Sequence, residues 1–135
     1  MKQMKRNAFT LIELTIVTSI LSLVTAIVAP RFVDIGERAQ VATMRADLRR
    51  LVRAQESYLF ENQRYSTHLG GSYTVSADNH MATITLTRDG WHASITSPNT
   101  TQVCAVFVGS TALAPASREG APACTKAGST ATLSP

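Results

Sequence analysis

The chain has 135 residues, 44% of them hydrophobic, and a formal net charge of +4. That length fits one domain plus an anchor. The charge is concentrated in Lys2, Lys5 and Arg6; the remaining ten basic and nine acidic residues leave the rest near neutral, which excludes nucleic acid as the main partner.

The first element is a short basic leader, MKQMKRNA, over residues 1–8. It is followed from Phe9 to Ala29 by a run of 21 residues, all apolar or small hydroxyl residues except one acid, Glu13. As a helix rising about 1.5 Å per residue, this run is about 31 Å long, close to the hydrocarbon thickness of a bilayer. The leader sets its N-terminus on the cytoplasmic side. A conventional secretory signal cut after Ala26, where Val24-Thr25-Ala26 is small enough, is the alternative for the same residues. Glu13 fits that alternative poorly, because a carboxylate in lipid costs roughly 2.5–3.5 kcal/mol near a helix centre and less towards its end.

The stretch K-R-N-A-F-T-L-I-E-L, residues 5–14, resembles the class III leader of type IV pilins and type II secretion pseudopilins. In that family a basic leader is cut just before a Phe, and a Glu stands fifth in the apolar helix that follows. Here Phe9 follows Ala8, in place of the usual Gly, and Glu13 is fifth counting from Phe9. The family's late helix proline is matched by Pro30. The resemblance implies cleavage between Ala8 and Phe9 by a prepilin peptidase and N-methylation of Phe9. It implies residence in the inner membrane before the pilus assembly machinery builds a helical, surface-exposed filament of identical or homologous subunits. The new amine on Phe9 can then pair with Glu13 of an adjacent subunit. Such a buried pair contributes register more than stability. Within its own subunit, Glu13 can instead bond first-turn amides, where the helix dipole favours an anion.

Pro30 cannot donate to a helix ladder and predicts a kink, with Gly36 as a second weak point. Beyond them Val41, Met44, Leu48, Leu51, Gln55 and Tyr58 recur at spacings of three and four, one stripe with a single polar member. The helix is predicted from Phe9 to about Asn62, bent near Pro30; two helices separated at Pro30 are the alternative. Arg38, Arg45, Arg49 and Arg53 fall mostly off the stripe, interleaved with Asp34, Glu37, Asp47, Glu56 and Glu61. Asp34 with Arg38 and Arg53 with Glu56 stand at pairing offsets, so this reads as a solvated or intersubunit face.

Residues 62–72 read as a loop. Strands are predicted over Tyr73–Ser76, Met81–Thr87, Trp91–Thr96 and Val103–Val108, with Arg88-Asp89-Gly90 turning the second into the third. In the second, Ile84 and Leu86 alternate with Thr83, Thr85 and Thr87, a half-buried antiparallel pattern. The tail from Gly109 is rich in Ala, Ser, Thr and Pro and is expected to be weakly structured. Cys104 and Cys124 suit one disulfide in an exported chain, two free buried thiols being the alternative. The pair also resembles the cysteines bounding the C-terminal loop of many pilins.

The expected fold is α+β: a long N-terminal helix, half transmembrane and half amphipathic, packed on a small antiparallel sheet head. Its parts are a leader (1–8), a transmembrane and polymerisation helix (9–30), an amphipathic helix (31–63) and a sheet head with a disulfide-bounded loop (64–135). His68, His80 and His92 show no zinc spacing, and no nucleophile elbow or phosphate loop is present. The resemblance implies a structural subunit of a type IV pilus-like filament, not an enzyme, with no cofactor and no metal. The alternatives are a type II secretion pseudopilin and a soluble secreted binding domain.

Overall fold

The computed structural model describes residues 8–81 and 83–128; most of the expected leader and the end of the tail lie outside them. The elements are α1 (Leu11–Asn62), a 3-10 turn (Gly70–Ser72), β1 (His80–Met81), β2 (Thr85–Leu86), β3 (Trp91–Thr96), β4 (Gln102–Val108) and β5 (Ala123–Lys126). The fold is α+β, one long helix with a small antiparallel sheet. Internal contacts divide the chain after Gly36, and the two parts are taken separately.

The first part is helical from Leu11 onward, and α1 runs on through Pro30 as one element rather than two. Pro30 has no amide to offer the carbonyl of Ala26, so that turn holds with one bond fewer.

The second part is the head. From α1 it buries Val41, Met44, Leu48 and Leu51 against Trp91, Ala93 and Ile95 of β3, Cys104 and Val106 of β4, and Ile84. Spacing on the helix and alternation on β3, with Trp91, Ala93 and Ile95 turned inward, produce this core. The sheet order is β1-β3-β4-β5, with β2 also on β3. β3 and β4 pair antiparallel from Trp91↔Val108 to Thr96↔Val103. Gln55, the polar member of the stripe, is fully buried and its amide is used twice: Nε2 donates to the Ser66 carbonyl at 2.6 Å and Oε1 accepts the Ser66 amide at 3.1 Å.

The turn at Arg88-Asp89-Gly90 forms as expected, with Leu86 opposite Trp91 and the Thr87 amide donating to the Gly90 carbonyl at 2.9 Å. Gly90 is buried against the backbone of Val108, so close that a Cβ would overlap the Val108 carbonyl.

Five expectations are corrected. Met81–Thr87 is not one strand: β1 and β2 pair separately with β3, and between them Ile84 drops into the core while Leu86 stays 45% exposed. The tail contains a strand, β5, because Cys124 stands directly opposite Cys104 on β4. Tyr73–Ser76 is not a strand. Its polar groups go to Asp47, which is fully buried and not part of a solvated face. Among the described residues the ion pair is Asp47 with Arg50, and neither expected pair forms.

The Asp47 carboxylate accepts from the Ser76 amide at 3.0 Å, the Ser76 hydroxyl at 2.8 Å and the Asn79 side-chain amide at 2.6 Å, besides the Arg50 guanidinium. The Tyr73 hydroxyl donates to the Asp47 carbonyl at 3.2 Å. A buried carboxylate is tolerated only when its lone pairs are filled in this way. Burial by itself raises its pKa, but the donors from Asn79, Ser76 and Arg50 outweigh it and hold the group below the usual aspartate value. Burial, and then the Asp47 charge, push the Tyr73 hydroxyl up to about 12. The segment 73–79 is thus strapped to α1 chiefly at Asp47, with Gln40 Nε2 donating to Asn79 Oδ1 at 2.7 Å and Arg50 to the Ser76 hydroxyl at 3.1 Å.

Two outcomes are expected in urea unfolding of the full-length chain in detergent. Asp47→Asn loses about 2–4 kcal/mol at neutral pH, because it removes the pair with Arg50 and leaves donors facing donors. A carboxylate with a lowered folded pKa contributes stability above its unfolded value, about 3.9, and loses it as pH falls through the folded value; the gap between wild type and Asp47→Asn should therefore narrow below about pH 4. Gly90→Ala should cost about 2 kcal/mol or more, since the new methyl can be placed only by moving β4.

Candidate polymerisation helix

The helix start is built from T-L-I-E, residues 10–13, the Ser/Thr-x-x-Glu pattern of a capping box. Thr10 precedes the helix. Its hydroxyl accepts the Glu13 amide at 3.3 Å, while Glu13 Oε2 accepts both the Thr10 amide and the Thr10 hydroxyl at 3.0 Å. The acid in the apolar run is therefore satisfied by its own helix N-terminus. This arrangement was readable from the sequence as a pattern, and Thr10 is the residue the sequence reading overlooked. Oε1 of the same carboxylate makes no hydrogen bond among the described residues.

The hydroxyls along the run are satisfied in the same local way. Thr15 donates to the Ile12 carbonyl at 2.8 Å, Thr18 to Leu14 at 3.0 Å, Ser19 to Thr15 at 2.7 Å, Ser22 to Thr18 at 2.7 Å and Thr25 to Leu21 at 2.9 Å. No water is needed to keep any of these five in hydrocarbon.

What remains is apolar surface all the way round. Phe9 is 79% exposed, Leu11 81%, Ile12 67%, Leu23 69% and Ile27 67%. A 52-residue helix containing a window of mean hydropathy 2.2, none of it buried, meets the length and composition for crossing a membrane. Of the expected site residues, Ala8, Phe9, Glu13 and Pro30 belong to this segment. Cys104 and Cys124 are remote from it in sequence and form a disulfide across β4 and β5, with Cys104 fully buried.

Residues 3–29 match the family model described as prokaryotic N-terminal methylation motif. The segment thus carries a prokaryotic N-terminal methylation motif, and over part of its length the chain is similar to a type IV pilin. Over 62 residues, 46% of its length, the chain is 37% identical to the type IV major pilin protein PilA of Myxococcus xanthus (strain DK1622). It covers 28% of the length of that relative.

Proposed function

We propose that the chain is a structural subunit of a type IV pilus-like filament, held in the inner membrane by α1, cut between Ala8 and Phe9 by a prepilin peptidase, N-methylated on Phe9 and assembled through the apolar surface of residues 9–29. The observation that carries this reading is the combination in one helix of a fully exposed apolar surface with an acid at its N-terminus, preceded by a matching leader. A surface of that size is stable only in lipid or against other apolar helices. Lipid tails are as apolar as the helix, so packing between small residues has to supply contact. Thr18, Ser22, Thr25 and Ala29 share one narrow face that permits close approach.

In this reading the amine released on Phe9 finds an acceptor in Glu13 of a neighbour, and the vacant Oε1 is the atom available for it. Pro30 is the position at which the helix yields during packing. Cys104 and Cys124 staple the head.

Intact-mass analysis with N-terminal sequencing of material sheared from the cell surface tests processing and destination together. A chain beginning at N-methylated Phe9 is expected, two hydrogens lighter than its reduced form; a chain beginning at Ile27 and free in the medium overturns the proposal. In cells, Glu13→Ala should insert in the membrane at the wild-type level and yield at least about tenfold fewer filaments, the order expected when a buried charge loses its partner. Wild-type filament yield from that variant removes Glu13 from assembly.

A further inference from the structure

The head carries a charged surface that its folding does not use. Arg38, Arg45 and Arg49 are exposed and, with Val41, Ala42 and Gln102, line a groove of about 470 Å³. Spacings of seven and four residues place the three arginines within about 20° of one line on α1, about 10 Å and then about 6 Å apart along its axis. Lys126, the cross-strand partner of Gln102, extends the basic surface onto β5. Arg50 is committed to Asp47, whereas none of the three groove arginines takes part in an ion pair among the described residues. Arg45 Nε donates to Cys124 Sγ at 3.3 Å, which fixes its stem beside the disulfide and leaves both terminal nitrogens for a ligand. The adjoining acid, Glu37, accepts from the Thr100 hydroxyl at 3.0 Å, and that hydroxyl also takes the Gln102 amide at 3.1 Å. Glu37 is thereby held at the Arg38 end of the groove rather than along it.

We infer that this groove binds an acidic polysaccharide, with carboxylates of successive sugar repeats on Arg38, Arg45 and Arg49 and sugar hydroxyls at Gln102. The guanidinium fork matches a carboxylate in geometry and charge. The lining contains no aromatic side chain, so unpaired bases find nothing to stack on, and stacking is half of what a single-stranded nucleic acid site uses. Three phosphate contacts on a nearly neutral head release few counterions, which disfavours duplex DNA. On a second copy of the chain, α1 carries no three exposed acids at the seven- and four-residue spacing of the arginines. Asp89 is engaged with the Ser110 amide at 2.9 Å and Glu119 with the Gly109 amide at 2.8 Å. Glu56 and Glu61, five residues apart on α1, point about 140° away from each other. A polyuronate presents carboxylates at a fixed repeat on a hydroxyl-rich chain, which is the pattern the groove complements. This inference does not depend on filament assembly and is tested on the dispersed subunit.

The experiment measures binding of the full-length chain, in detergent at low ionic strength, to immobilised polygalacturonate, neutral dextran and oligothymidylate. Wild type should bind polygalacturonate well above dextran, with binding falling as salt rises. The triple variant Arg38→Gln/Arg45→Gln/Arg49→Gln should lose at least about tenfold in affinity, while Arg64→Gln/Arg88→Gln/Arg118→Gln, which removes the same charge away from the groove, should stay within about twofold. Because Arg45 also touches Cys124, the double variant Arg38→Gln/Arg49→Gln serves as a check that leaves that contact intact, and it too should weaken binding. Equal losses in both triples, an unaffected double variant, or wild-type retention no better than on dextran overturns the inference. Tighter binding of oligothymidylate through the same three arginines overturns the choice of polysaccharide.

Discussion

One helix has to be satisfied in two environments, and the rest of the structure follows from how it manages this. Over residues 11–29 there is nothing polar outside the helix to rely on, so each hydroxyl turns back onto a carbonyl of its own chain and Glu13 closes on Thr10. From Glu37 onward the same helix faces a sheet. Its apolar contacts narrow to a stripe, and its polar members, Asp47 and Gln55, are satisfied by the loops that follow it. The apolar half uses bonds between near neighbours, and the head half reaches residues 11 to 79 positions away. That difference matches what each environment supplies: lipid offers no donors or acceptors, whereas a folded head can bring loop amides to a buried carboxylate.

In the proposed assembly, the local cap also changes what docking asks of Glu13. Its carboxylate is not a bare charge waiting in lipid for a partner. One oxygen is engaged by Thr10, and the other is unengaged among the described residues. A neighbouring amine can therefore be accepted without breaking the helix start. The desolvation of the carboxylate is already partly offset before any subunit meets it.

The features legible in the sequence were those with short-range periodicity. Hydropathy and the spacing of Met44, Leu48 and Leu51 locate the helix, and Arg88-Asp89-Gly90 locates the hairpin. Asp47 was misread because its neighbours Arg49, Arg50 and Arg53 give it the look of a surface charge. Its spacing, three after Met44 and four before Leu51, was the available signal that it sits on the buried stripe. Tyr73–Ser76 has the composition of a strand, yet its backbone is claimed by a carboxylate 29 residues earlier, and no local pattern reports a contact of that range. β5 was hidden for the same reason: A-C-T-K has little strand character of its own and becomes a strand through the register imposed by Cys104. At the candidate site, the offset of Glu13 from Phe9 and the Thr10-x-x-Glu13 pattern were both readable in the sequence, while the bonds that Glu13 Oε2 accepts needed geometry.

The cross-strand disulfide has a mechanical consequence. Cys104 and Cys124 lie 20 positions apart in sequence and opposite each other in the sheet, so the chain between them is a closed ring. Tension applied along the backbone passes from β4 to β5 through sulfur and bypasses the ring. Residues 105–123 carry none of that load, and the edge strand cannot be peeled from β4 past Cys124. The loop between β4 and β5 thus lies outside the covalent line of force, and its length and sequence can change without weakening that line.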